Sequence, residues 1–307
     1  MKNIQLTCAH AIIKFLTKQK IYINGKKEPL FPGAFGIFGH GNVACLGQAL
    51  EENKKELPTW RGHHEQNMAL TGIAFSRAKR RKQIFIATSS VGPGSTNMLT
   101  AAAVAMSNRL PMLFLPGDTF ANRMPDPVLQ QVEHFNNPNI TQNDAFKYVT
   151  RYFDRITRPE QIIQSLPQAI QTMIDPADCG PACISLSQDV QGEVFEYPEE
   201  FFEEQIHTIR RPRPDDFQIK LAADLIKKSK NPIIISGGGI FYSEATNELS
   251  EFAKKHNIPT AQTVMGYSTM KKDDPYFLGA IGGFGGKEPN DFMKKTDLAI
   301  AIGTKLA

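Results

Sequence analysis

Short apolar runs alternate along the chain with stretches whose apolar residues recur every three or four positions. Phe35–Phe38, Gln83–Thr88, Met112–Leu115 and Ala182–Leu186 have the length and composition of strands, and a shorter strand is expected near Pro58–Arg61. Helical period marks Cys8–Gln19, Val43–Asn53, His64–Arg80, Ser95–Ser107 and Pro159–Met173. A strand that is apolar on both faces must be covered on both, and helices between successive strands do this when the strands run parallel. The pattern therefore predicts an α/β domain with a parallel sheet over residues 1–197.

Residues 198–216 break the alternation with six acidic residues and three prolines, which predicts a linker. The alternation restarts with a helix at Phe217–Lys228 and a strand at Pro232–Ser236. A Gly237-Gly238-Gly239 turn, a helix at Glu244–His256 and strands at Pro259–Gln262 and Leu298–Ile302 follow. Residues 217–307 are expected to form a second, Rossmann-like domain that is incomplete, because no crossover helix follows its last strand before Ala307.

Composition changes this picture little, but it excludes several functions. With 41% hydrophobic and 21% charged residues the chain is globular rather than disordered, and a net charge of +4 is too small to predict nucleic-acid binding. The basic run from Arg77 to Lys82 closes a predicted helix, where cations complement the dipole. No apolar run approaches the roughly 18 residues of a membrane span, and lysines interrupt the first twenty residues, so neither an anchor nor a signal peptide is expected. Cys8, Cys45, Cys179 and Cys183 contain no C-x-x-C pair and are read as reduced thiols of a cytoplasmic protein.

Three segments could carry chemistry. Gly39-His40-Gly41-Asn42-Val43-Ala44 is a G-x-G-x-x-A turn, which admits a dinucleotide-binding reading, but the acidic residue that should close the second strand is absent. Ser89–Asn97 joins a strand to a small-residue helix, with Pro93 between Gly92 and Gly94, and makes a rigid platform of bare backbone. His63-His64-Glu65-Gln66 opens the helix after the second strand. The helix dipole suffices to account for an acidic residue there, and H-E-x-x-H fails because Met68 stands where the second histidine should be, so no metal site is expected.

In this order and spacing the three segments resemble the pyrimidine-binding domain of thiamine diphosphate enzymes of the acetolactate synthase type. Phe38–Asn42, Asp126–Gln131, Asn143–Phe146, Arg151–Gln161 and Ser187–Val190 narrow the likeness further. It falls on the thiamine-dependent hydrolases that open a trihydroxycyclohexane-1,2-dione ring to 5-deoxy-glucuronate in myo-inositol catabolism. The resemblance implies that Glu65 hydrogen-bonds N1′ of the aminopyrimidine, so that the exocyclic nitrogen can remove the C2 proton of the thiazolium. It implies that Val91, Gly92, Pro93, Gly94 and Asn97 also contact thiamine diphosphate, and that His40, Asn42 and Gln130 face the substrate. It further implies a third domain that holds the diphosphate through Mg2+, and a homo-oligomer in which that domain comes from a partner subunit. No such domain is legible here, so the chain is expected to be inactive alone. The alternatives are another thiamine diphosphate enzyme of this type, a non-catalytic dimerisation module, and a dinucleotide-dependent oxidoreductase resting on Gly39–Ala44.

Overall fold

The computed structural model describes residues 2–306 and divides into two compact units, one up to Arg211 and one from Pro212 onward. The first is built on a sheet in the order Thr59–Arg61, Ala34–Ile37, Ile86–Ser89, Leu113–Phe114, Ala182–Ser187, Gly117–Asp118, with Tyr152–Ile156 also paired to Ala182–Ser187. Every pairing in this sheet is parallel. Ile86–Ser89 and Ala182–Ser187 are buried along their whole length, as strands covered on both faces must be.

Helix Cys8–Thr17 buries eight of its ten residues, among them Ile12, Ile13, Phe15 and Leu16. Its first turn is capped by Thr7, whose hydroxyl accepts from the His10 amide. At roughly 1.5–3 kcal/mol for each large apolar side chain removed from water, such a helix contributes mainly through its packing.

Several elements escape the alternation pattern. Asn3–Thr7 pairs antiparallel with Val194–Pro198 and ties the two ends of the unit together. Gln19–Ile23 and Lys26–Pro29 form a hairpin through Asn24-Gly25, both at positive φ, which is the turn chemistry an Asn-Gly pair favours. The expected linker 198–216 is shorter than its polarity suggests. Phe201 stacks on Phe15 at 4.5 Å, Phe202 lies edge-on to Tyr197, and Gln205–His207 pairs with Gln19–Ile23, so residues up to His207 belong to the first unit. The helix expected at Val43–Asn53 begins earlier, at Gly39, and passes through a π-turn at Val43–Gly47 before Gln48–Glu52. The helix expected over Ser95–Ser107 is two pieces, Pro93–Thr96 and Leu99–Asn108.

The second unit carries a four-stranded parallel sheet in the order Phe277–Ala280, Thr260–Gln262, Pro232–Ser236, Leu298–Ile302. Its core gathers Ile234, Ile240, Leu249, Ala253, Ile258 and Met270. Leu298–Ile302 and Phe277–Ala280 are the two edge strands, and neither is fully buried at any position. Helix Asp216–Lys228, capped by Asp215, buries none of its residues. Among the described residues no helix is long and apolar enough to cross a membrane.

Candidate active site: a carboxylate at the switch point of the sheet

In the first unit the chain passes from Ala34–Ile37 outward to Thr59–Arg61, then returns to the other side as Ile86–Ser89. The sheet reverses its order between Ala34–Ile37 and Ile86–Ser89, and open parallel sheets leave a crevice beyond the strand ends at such a point. A cleft of about 580 Å³ lies there, lined by Ile37, Gly39, Glu65, Ser90, Pro93, Gly94, Thr96, Asn97 and Gln130.

Glu65 is brought to the cleft by the helix Glu65–Ala78, whose N-terminus is capped by the His64 ring accepting from the Asn67 amide at 3.3 Å. Asn97 Nδ2 donates to Glu65 Oε2 at 2.7 Å. No hydrogen bond reaches Glu65 Oε1 from the described residues. A side chain added at Gly94 would place its Cβ 3.5 Å from that oxygen, so the bare glycine backbone keeps the space before the carboxyl group open. Ser90, which also lines the cleft, has its Oγ buried without a partner among the described residues. The arrangement can hold a flat polar ring with one ring nitrogen against Glu65 and its other edges against serine and backbone.

The two glycine segments stack on each other. A Cβ at Gly39 would fall 2.4 Å from Ser90 Oγ, and Gly39 itself has φ +52°. At Gly92, with φ +71°, a Cβ would fall 1.7 Å from the Gln130 carbonyl oxygen. These two positions need glycine for close backbone approach. Val91 and Gly92 are buried behind the cleft wall, whereas Pro93, Gly94 and Asn97 line it.

Of the three residues expected to face a substrate, only Gln130 lines the cleft. Asn42 is 1% exposed, and its amide is spent inside the protein: Nδ2 donates to Thr88 Oγ1 at 2.7 Å and to the Ser89 carbonyl at 2.8 Å, while Oδ1 accepts from Gln191 Nε2 at 3.0 Å. It joins the two glycine segments rather than meeting a ligand, because satisfying several buried polar groups outweighs exposure of one small amide. His40 does not line the cleft either. Its carbonyl accepts from Gln188 at 3.1 Å and its Nε2 is buried without a partner among the described residues.

Sequence reasoning did not name Ser90 or Ile37 as cleft residues, although Ser90 lies within the segment Ser89–Asn97 and Ile37 directly precedes Phe38–Asn42. It also missed Gln142. Oriented so that both of its groups are satisfied, the Gln142 carboxamide accepts from the Gly92 amide at 3.1 Å and donates to the Gln131 carbonyl at 2.7 Å. Nothing in its local sequence marks that role.

The sequence pattern of the N-terminal TPP-binding domain of thiamine pyrophosphate enzymes matches residues 32–138, and that of their central domain matches residues 219–307. Curated relatives named 3D-(3,5/4)-trihydroxycyclohexane-1,2-dione hydrolase align along nearly the whole chain. Those of Geobacillus thermodenitrificans and Clostridium tetani are 48% identical over 305 residues, covering 99% of this chain and 48% and 47% of the respective relative. That of Clostridium botulinum is 48% identical over 307 residues, covering 100% of this chain and 48% of the relative. The chain spans about half the length of the curated relatives it matches. It belongs to the thiamine pyrophosphate enzymes, whose N-terminal TPP-binding domain and central domain it carries.

Proposed function

We propose that the chain forms the pyrimidine-binding side of a thiamine diphosphate site in an enzyme that opens a polyhydroxylated cyclic 1,2-dione by hydrolysing a C–C bond. The observation that carries this reading is Glu65, standing in the switch-point cleft with one oxygen held by Asn97 and the other turned to open space beside Gly94. Relatives named as hydrolases of such a dione at 48% identity support the substrate class.

The residues present fit the group. A carboxyl group aimed into the cleft suits N1′ of an aminopyrimidine, and the unpartnered Ser90 hydroxyl and the bare Gly94 backbone suit the ring's edge and face. Bound there, thiamine diphosphate supplies the electron sink that C–C cleavage requires. Glu65 holds and exchanges a proton at N1′. Asn97 fixes the carboxyl group so that its free oxygen faces the ring, which spares reorganisation when the proton moves. Pro93 and Gly94 set the platform, and Gln130 stands where a ring hydroxyl of the substrate would approach.

In this reading the diphosphate and its Mg2+ are held by the part of the relatives that this chain does not span, within a homo-oligomeric cytoplasmic enzyme. Among the described residues no group of three or more His, Cys, Asp or Glu side chains could hold a metal ion. Calorimetry with thiamine diphosphate and Mg2+ is the first test, and the chain alone is expected to show no saturation at low micromolar concentration. Adding the remaining half of the Geobacillus relative as a separate polypeptide should restore binding and ring opening, followed as loss of the dione. Tight binding by the chain alone would overturn the division of the site. A complemented pair that binds cofactor and leaves the dione intact would overturn the substrate.

A further inference from the structure

Strand Tyr152–Ile156, strand Gly117–Asp118 and the turn at Thr141 and Asp144 meet at one guanidinium in the first unit. Arg155 lies on strand Tyr152–Ile156 with 20% of its side chain exposed. Its Nε donates to Asp118 Oδ2 at 2.8 Å, and its Nη2 donates to Thr141 Oγ1 at 2.8 Å and to Asp144 Oδ1 at 2.9 Å. Asp118 is fully buried and accepts also from the Ser185 hydroxyl and the Thr119 amide. Asp144 accepts from the Thr141 amide at 2.9 Å and from Lys147 at 2.8 Å. Burial alone would raise the Asp144 carboxyl group, but the hydrogen bonds from Lys147 and Thr141 and the charge of Arg155 outweigh it and hold it below the ordinary carboxylate value.

Between these anchors runs a strap, residues 119–141. Its beginning is held by Asp189, whose carboxylate accepts from the Ala121 and Asn122 amides at 2.9 and 3.1 Å. Its middle reaches the cleft at Gln130, and Gln142, next to Thr141, bridges the Gly92 amide and the Gln131 carbonyl. The strap does not rest in a relaxed shape. Gln130 and Val132 sit at φ +64° and +54°, the second of them β-branched, and the fully buried Gln131 carboxamide between them has no partner among the described residues. Such a conformation persists only where its surroundings impose it. The fork of Arg155 is the tie nearest to the point where the strap ends and Gln142 begins.

We propose that Arg155 is a positioning residue for the cleft: by fixing Thr141 and Asp144 it places Gln142, and through Gln142 it holds the Gly92 amide and the Gln131 carbonyl, the buried backbone behind the cleft wall of Pro93, Gly94 and Gln130. What that wall serves rests on the thiamine reading above; the mechanical linkage does not. Thr141→Val with Asp144→Ala removes both acceptors of the strap arm of the fork and leaves the buried Asp118–Arg155 pair intact, so the fold is kept. Arg155→Lys leaves a cation beside Asp118 and removes the fork.

Hydrogen exchange of the full chain, read by mass spectrometry, separates positioning from plain stability. In both variants peptides spanning 89–97 and 127–135 should exchange at least about tenfold faster, while the strand Ala182–Ser187 keeps its protection and Tm moves only a few degrees. Uniform loosening of all three peptides, or no change at 89–97, would overturn the proposal. A second arm titrates 4-amino-5-hydroxymethyl-2-methylpyrimidine, the pyrimidine half of thiamine, at millimolar concentration by saturation-transfer NMR. Weaker binding by the variants than by wild type supports the link from Arg155 to the site, and equal binding overturns it. Failure of the wild type to bind counts against the thiamine reading alone, and the exchange arm then still decides the role of Arg155.

Discussion

Ser90–Gly94 in the first unit and Gly237–Gly239 in the second unit are both glycine-rich passages from a parallel strand into a short helix, and they differ in what occupies the space before them. In the second unit the chain itself fills that space: the Gly237 amide donates to the Ile302 carbonyl and the Gly239 amide to the Gly303 carbonyl, both at 2.9 Å. A Cβ at Gly237 would lie 2.4 Å from Gly303 O, and one at Gly239 2.6 Å from Gly303 Cα. In the first unit backbone fills the space only before Gly92, where the Gln130 carbonyl lies, while Gly94 meets only ordinary contacts and opens on Glu65. Glycine after a parallel strand therefore announces a close approach without saying of what. The neighbouring strand's exit decides whether backbone comes near or a cleft is left.

The largest effect that would sharpen this contrast is chemical. In the complete enzyme, Glu65→Gln keeps the size and the bond from Asn97 but cannot exchange a proton at N1′. Cofactor binding should survive, while exchange of the cofactor's C2 proton slows by about 10²–10⁴-fold, or roughly 3–5 kcal/mol at the barrier. A glutamate that served only the helix dipole would contribute about 0.3–1 kcal/mol of stability and leave the exchange rate alone. Equal exchange rates in wild type and variant would remove Glu65 from the reaction.

Next in size is a pair of glycine substitutions. Gly237→Ala drives a methyl group into backbone that cannot yield and should cost about 1–3 kcal/mol, seen in denaturant unfolding of the second unit. Gly94→Ala should leave stability within about 1 kcal/mol, because its Cβ meets Ser90 Cβ at 3.4 Å, yet it should weaken pyrimidine binding by filling the cleft. If the two costs were equal, the contrast between a filled and an open turn would collapse.

The acid limb gives a smaller effect confined to the first unit. Because the Asp144 carboxyl group is held below its ordinary value in the folded chain, its contribution is present above the unfolded carboxylate pKa of about 3.9 and is lost as pH falls through the lower folded value. Protection of the strap should therefore fail below about pH 4, ahead of the strand Ala182–Ser187. Protection lost from both together would assign Asp144 no separate part in holding the strap.

Much of this was legible along the chain. The strands Ile86–Ser89, Ala182–Ser187 and Pro232–Ser236 and the helices Cys8–Thr17 and Glu65–Ala78 lie within a few residues of where apolar period places them, since burial on both faces or on one stripe leaves that trace. Glu65, Gly94 and Asn97 were singled out only through the resemblance, and all three line one cleft. The strand Tyr152–Ile156 was not, because Asp154 and Arg155 interrupt its apolar run, and Arg155 is there for its hydrogen bonds to Asp118 and Asp144. Phe201 and Phe202 were hidden by the glutamates on either side of them. Asn42, expected to face the substrate only through the resemblance, is buried and holds the turn together.

The smallest effect concerns the helix Asp216–Lys228, the counterpart in the second unit of Cys8–Thr17 in the first. Both have an amphipathic pattern, but the first buries eight residues and the second none, with Phe217, Leu221 and Leu225 at 73%, 54% and 51% exposure. These three recur every four residues and so stand above one another on one face. Phe15→Ala should cost about 3–5 kcal/mol, as a buried phenylalanine does, and unfolds the first unit at lower denaturant. Leu221→Gln removes little buried surface and should change stability by no more than about 0.5 kcal/mol. The same substitution should reduce self-association, because an exposed stripe of three large apolar side chains gains most by meeting another apolar surface. Sedimentation velocity of wild type and Leu221→Gln over a hundredfold concentration range decides the matter. If both are monomers throughout, exposure of this face carries no cost in solution, and the difference between the two helices is one of packing alone.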